Sequence, residues 1–183
     1  SAELCPATTL KDLNGDAIEY FRERWIDHSG NKSLKRLSHE RILKDAELII
    51  NGQLTNAALI LFGKAKTLNR HLAQSEVIFE WRSSTANIHY QQRKEYRKGF
   101  FLFYDELWET IDLRNEIFQY QVRFERHSVP TFNEKATREA ILNAVSHREY
   151  RLQGSIFVKQ FPKKVEIVSP GGFPPGISEE NFL

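Results

Sequence analysis

The run Arg138-Glu139-Ala140-Ile141-Leu142-Asn143-Ala144-Val145-Ser146-His147-Arg148-Glu149-Tyr150 constrains the fold more than any other part of the chain. Read at helical spacing, it predicts one helix with a divided surface. Ile141, Leu142, Ala144 and Val145 fall on one side, and Glu139, Asn143, Ser146, His147 and Tyr150 on the other. The apolar side must be covered by a sheet or by other helices. On the polar side Glu139 and Asn143, four residues apart, lie one above the other. A carboxylate and an amide so placed suit a site that holds a metal ion and activates a water. Glu139 is the candidate general base. Asn143 offers a side-chain carbonyl oxygen, a hard ligand suited to Mg²⁺, which keeps several waters and takes further ligands from substrate phosphates. His147, one turn on, is a candidate contact to phosphate or to a partner. The same residues also fit the wet face of an ordinary amphipathic helix.

A second unusual run follows, Ser169-Pro170-Gly171-Gly172-Phe173-Pro174-Pro175-Gly176. It comes directly after a predicted strand. Gly171 and Gly172 let the backbone approach a ligand closely, and the prolines reduce the entropy lost on ordering the loop. An ordinary surface turn is the plainer reading.

Upstream, helices are expected at about residues 16–27, with Asp16 and Glu19 as a capping box, and from Ser38 through Ile49, stopped by Asn51-Gly52. A buried helix capped by Thr55 should run to Gly63. Val77 to Arg82 alternates like a strand, and Asn87 to Gly99 reads as a weak strand and a mobile loop. Residues 101–115 should be helical, and Phe118 to Phe124 a strand or extended linker. Ser128-Val129-Pro130 is then a break. Ser155–Phe161 and Lys164–Ser169 form a hairpin at Pro162-Lys163. The expected boundary, between Gln121 and Pro130, divides the chain into residues 1–125 and 126–183.

A net charge of +2 gives no ground for nucleic-acid binding by charge alone. The run from Gln91 to Lys98, with Lys94, Arg97 and Lys98, is the candidate DNA contact, weighed against a solvated loop. The single cysteine, Cys5, excludes an internal disulfide and a cysteine zinc site, and fits a reducing, cytoplasmic setting. His71, His89 and His127 have no ligating spacing. The cluster Phe100, Phe101, Phe103, Tyr104 and Trp108 reads as core or subunit contact. No apolar run reaches membrane-spanning length. The start at Ser1 without methionine, and the stop where a helix is expected near Glu180, suggest a piece of a longer protein.

The residues of 138–150, then Gly154, then Ile167-Val168-Ser169-Pro170-Gly171-Gly172-(x)-Pro174-Pro175-Gly176, resemble the C-terminal, RecG-helicase-like module of bacterial transcriptional regulators. That module is similar to the GHKL ATPase fold. Gly52-(x)-Leu54-Thr55-Asn56-Ala57-Ala58-Leu59-Ile60-Leu61-Phe62-Gly63-Lys64 resembles the segment that links such a module to an N-terminal Schlafen/AlbA-type domain. The resemblance implies an α+β fold, with a helical N-terminal part followed by a partial GHKL-like α/β sandwich. It implies ATP and Mg²⁺ as cofactors, with Glu139 positioning the hydrolytic water and Asn143 on the metal. Ser169, Gly171 and Gly172 stand where GHKL proteins carry an aspartate-glycine adenine contact, with serine or proline in place of the aspartate. A weak ATPase in the full-length protein is implied, with DNA bound by a domain outside this chain and a homo-oligomer expected. The chain has no Gly-(x)₄-Gly-Lys-Ser/Thr phosphate loop, so it is not read as a helicase motor. The alternative is a degenerate relative that binds no nucleotide and serves dimerisation or signal relay.

Overall fold

Short polar caps lay out the N-terminal half. In the computed structural model, which describes residues 3–86 and 89–172, α1 spans Gly15–Ser29. Its cap is Asn14, whose side chain accepts from the Ala17 amide at 3.1 Å, so the expected Asp16–Glu19 box is displaced by one residue type that does the same work two positions earlier. Gly30, at φ 69°, ends it. Ser38 caps α2 (His39–Asp45), which stops well before Ile49. Glu47 turns the chain at φ 58°, and Ile49–Ile50 (β1) pairs with Gln53–Leu54 (β2) across Asn51 and Gly52, both at positive φ. Thr55 caps α3 (Asn56–Phe62), and α4 (Ala65–His71), which the sequence reading had not distinguished, follows directly.

The chain then enters a four-stranded sheet of order β4-β3-β7-β8, built from Val77–Trp81 (β3), Gln92–Tyr96 (β4), Ile156–Phe161 (β7) and Lys164–Val168 (β8). β3 and β7 run parallel, with Val77 opposite Ile156 and Phe79 opposite Val158, and the other pairs are antiparallel. Between them come α5 (Tyr104–Asp112), a separate hairpin of β5 (Ile117–Val122) with β6 (Glu125–Pro130), and α6 (Glu134–His147). Ser128-Val129-Pro130 is therefore part of a strand, not a break. Pro130 is tolerated there because it is the last residue of an edge strand, where no ladder amide is needed. The fold class is α+β, as expected.

The division at 125/126 runs through one sheet and one core. Phe79 and Val158, from either side of it, are both fully buried in a single apolar cluster with Phe62, Phe100, Leu107, Ile111 and Ile141. In the aromatic segment 100–104, Phe100 and Phe103 are core, and Phe101 and Tyr104 pack half-buried against it: Phe62 and Phe101 stack at 5.6 Å, and Phe103 stacks on Tyr96 at 4.5 Å. Of the buried polar side chains, two lie in the sheet. Glu80 meets Arg82 at 2.7 Å and Arg93 at 3.2 Å, and Gln160 donates to the Ile111 carbonyl at 2.8 Å.

Candidate functional site

Helix α6 starts one turn earlier than expected, at the Asn133 cap, and ends at His147. Its buried side is the predicted one, with Ile141 and Val145 almost fully covered beneath it. Glu139, Asn143 and His147 are all exposed, and among the described residues none of the three has a side-chain hydrogen bond or ion pair. Glu139 borders an open groove together with Arg24, Asp27 and His28 of α1, with Tyr104 and Leu142. That groove does not include Asn143 or the bend at 169–172. The carboxylate and the amide thus share a helix face without converging on one cavity.

Arg148 and Tyr150 leave the helix, which corrects the placement of Tyr150 on its polar side. Arg148 takes extended backbone at ψ 137° and turns inward until it is 4% exposed. Its guanidinium lies 4.6 Å from the Tyr150 ring centre and donates to the carbonyls of Leu152, at 3.2 Å, and Gly154. Burial pulls the Arg148 guanidinium below its usual range and pushes the Tyr150 phenol above its own. The Tyr150 hydroxyl donates to the Val145 carbonyl at 2.8 Å, and Gln74 donates to the Tyr150 carbonyl at 2.7 Å.

The bend docks on the end of α6 and on Glu149. Ser169 Oγ donates to the Ala144 carbonyl at 3.1 Å, and the Glu149 amide donates to the Pro170 carbonyl at 3.1 Å. Gly171 sits at φ 134°, where a side chain is strained, and a Cβ there would lie 3.4 Å from Glu149. Among the described residues nothing lies within 4 Å of a Cβ added at Gly172. Phe173 to Gly176, and the helix expected near Glu180, lie outside the described residues. The structure therefore brings Ser169 and Gly171 to α6, but to its last turn and to the segment that follows it. Ser169 has committed its one proton to the backbone.

Among the described residues no group of three or more His, Cys, Asp or Glu side chains is spaced to hold a metal. Asn143 alone would have to serve Mg²⁺, with phosphate oxygens supplying the rest. The basic run is largely neutralised. Lys94 bonds Thr110 at 3.0 Å and lies 3.6 Å from Glu106, Lys98 lies 3.6 Å from the same carboxylate, and Arg97 pairs with Glu76 and Glu95. What the sequence reading missed is the aromatic hollow beside the Glu139 groove, formed by Phe21, Trp25, Phe101 and Tyr104 with Leu142. Phe21 and Trp25 had looked like plain core positions, and only tertiary packing shows them half-open. Among the described residues no helix is long and apolar enough to cross a membrane.

Residues 1–78 match the model of a domain of unknown function, DUF8451. No curated protein matches the chain. Among solved structures, the DIP2311 protein from Corynebacterium diphtheriae is similar over 98% of this chain, with a TM-score of 0.77 and 23% identity. The match takes in 35% of that protein, so this chain spans about a third of the solved relative's length. The likeness is one of fold.

Proposed function

We propose that the chain is a regulatory module of a cytoplasmic bacterial transcriptional regulator, GHKL-like in shape, which relays a signal to a DNA-binding domain outside this chain without binding nucleotide itself. The observation that carries this reading is the docked bend. Ser169, which stands where an adenine-binding carboxylate would be needed, donates to the Ala144 carbonyl, and Pro170 and Gly171 pack on Glu149. A hydroxyl brings no charge to strengthen a bond to an adenine amino group. Arg148 and Tyr150 are buried just beyond the end of α6, and Glu139 opens on a groove that Asn143 does not share.

A second reading, Mg-ATP bound across the polar face of α6, is favoured by the unpartnered exposed row of Glu139, Asn143 and His147. In it Asn143 would hold Mg²⁺, Glu139 would draw the proton from a water, and hydrolysis would be slow. Isothermal titration with Mg-ATP separates the two. The relay reading expects only heats of dilution. Saturable binding that Asn143→Ala abolishes, with Glu139→Ala losing turnover more than affinity, would replace it by the nucleotide reading.

A further inference from the structure

The β5–β6 ribbon presents large apolar side chains to solvent: Phe118 is 47% exposed, Tyr120 51%, Val129 45%, and Phe124 at the turn 98%. It pairs with no other strand among the described residues. A lone two-stranded ribbon is marginal in water, so an uncovered apolar ribbon of six residues per strand wants a partner. The character of its two edges says which partner.

Thr131 donates to the Glu116 carbonyl at 2.8 Å at the base of the ribbon. With Ile117 opposite Pro130, the antiparallel alternation turns the backbone groups of Phe118 and Tyr120 toward β6. Those of Ile117, Gln119 and Gln121 then face outward on the free edge of β5. Proteins guard such edges with charge, proline or bulges, and β5, Ile-Phe-Gln-Tyr-Gln-Val, carries none of these. The other edge is guarded. β6 holds Glu125, Arg126 and His127, and it ends in Pro130, whose ring nitrogen has no proton to give.

We propose that the β5 edge joins a second copy of this chain, antiparallel about a two-fold axis at Gln119, to make one four-stranded sheet of order β6-β5-β5-β6. The uncharged edge is self-complementary. In this register Gln119 faces the partner copy's Gln119 as a hydrogen-bonded pair, and Ile117 faces Gln121. Phe118 faces Tyr120 twice, as close non-hydrogen-bonded pairs on the apolar face, where aromatic cross-strand pairs are favourable. No like charges meet anywhere along the seam. The charged, proline-ended β6 strands become the outer edges, so growth stops at two copies. The proposal gives the relay module a partner of its own kind, but it stands or falls separately from nucleotide binding, since Gln119 belongs to neither α6 nor the bend.

Sedimentation equilibrium of the full chain tests it. The unaltered chain should be a reversible dimer. Gln119→Lys and Gln119→Glu each place like charges opposite one another across the axis, and each should weaken self-association at least tenfold. Mixed in equal amounts, the two variants should form a heterodimer, which no loss of folding can produce. A monomeric unaltered chain would overturn the proposal. So would a dimer indifferent to both charges, a mixture that stays monomeric, or growth beyond two copies.

Discussion

Replacing Gly99 by alanine should destabilise the protein although it adds a single methyl group. An ideal Cβ at Gly99 would stand 2.6 Å from the Phe62 carbonyl carbon and 2.7 Å from the Gly63 amide. Both are backbone atoms, held where the Gly99 amide donates to the Gly63 carbonyl at 2.8 Å and the Gly63 amide to Leu59 at 2.7 Å. Ordinary contact begins near 3.4 Å, so the end of α3 and the start of the aromatic segment must part by roughly 0.8 Å. Phe62 and Phe100, both essentially unexposed, move with them. Forcing a methyl group into a packed core costs about 3 kcal/mol at the upper end of the usual range. Against this, removing a glycine from the unfolded chain stabilises by less than about 1 kcal/mol. The net loss of about 2–3 kcal/mol corresponds to a fall in Tm of roughly 5–10 °C for a chain of this size. Gly172→Ala is the matched control, because a Cβ there meets nothing among the described residues and its φ is not positive, so its Tm should stay level or rise. Differential scanning calorimetry of both variants reads the contrast. A Gly99→Ala protein that melts within a degree or two of the unaltered chain would refute the argument that α3 and residue 99 meet backbone to backbone.

Thr55 accepts from the Ala58 amide and donates to the Leu48 carbonyl, each at 3.2 Å, at 1% exposure. Thr55→Ala should therefore lose about 2 kcal/mol in urea unfolding, and Thr55→Ser should recover most of it. Burial, and then the hydrogen bond to Asp105, push the Tyr20 phenol up to about 12, and burial raises Tyr96 and Tyr150 as well. Because these pKa values are higher in the folded chain, the stability tied to them is full below pH 10 and falls as the pH climbs toward 12 and beyond. Absorbance titration near 295 nm should show the Tyr20, Tyr96 and Tyr150 part of the signal developing above the ordinary phenol range, and a single smooth titration of all six tyrosines at pH 10 would contradict this.

Local patterns were legible where one segment held the whole signal. The buried side of α6, the cap at Thr55 and the β7–β8 hairpin could be read from spacing alone, because each needs only neighbours in sequence. Asn51-Gly52 shows how one signal serves two structures. It was read as a helix stop, but the helix had already ended at Asp45, and both residues sit at positive φ, 51° and 77°, in the two-residue turn such pairs favour. The parallel pairing of β3 with β7 leaves no local trace, since no periodicity says which strand lies beside which. The candidate site met the same limit. The side chains of Glu139 and Asn143 were placed correctly on one helix face, but the helix gives no information on what stands opposite that face. The inward turn of Arg148 was equally hidden, because a charged residue at the end of an amphipathic helix is expected in water.

That buried arginine bears on how a relay would work. Taking a guanidinium out of water costs several kcal/mol unless its donors find acceptors. Arg148 reaches two, the Leu152 and Gly154 carbonyls, while its Nε and Nη1 have no partner among the described residues. An apolar side chain would cost less at this position, so what the charge supplies is connection. Arg148 fixes the loop from Leu152 to Gly154, a Cβ added at Gly154 would meet Pro170 at 3.4 Å, and Ser169 and Pro170 bond the last turn of α6 and the Glu149 amide. The helix end, the loop and the bend are thereby one mechanical unit, closed by hydrogen bonds at both ends. A displacement of residues 169–171 is felt beyond the bend, because among the described residues Ser169 bonds the last turn of α6 and Pro170 bonds the segment directly after it. Shifting the bend would therefore drag on the helix whose exposed face carries Glu139, Asn143 and His147. A relay requires a coupling of that kind, and a nucleotide cleft, which needs its walls to open separately, would be hindered by it.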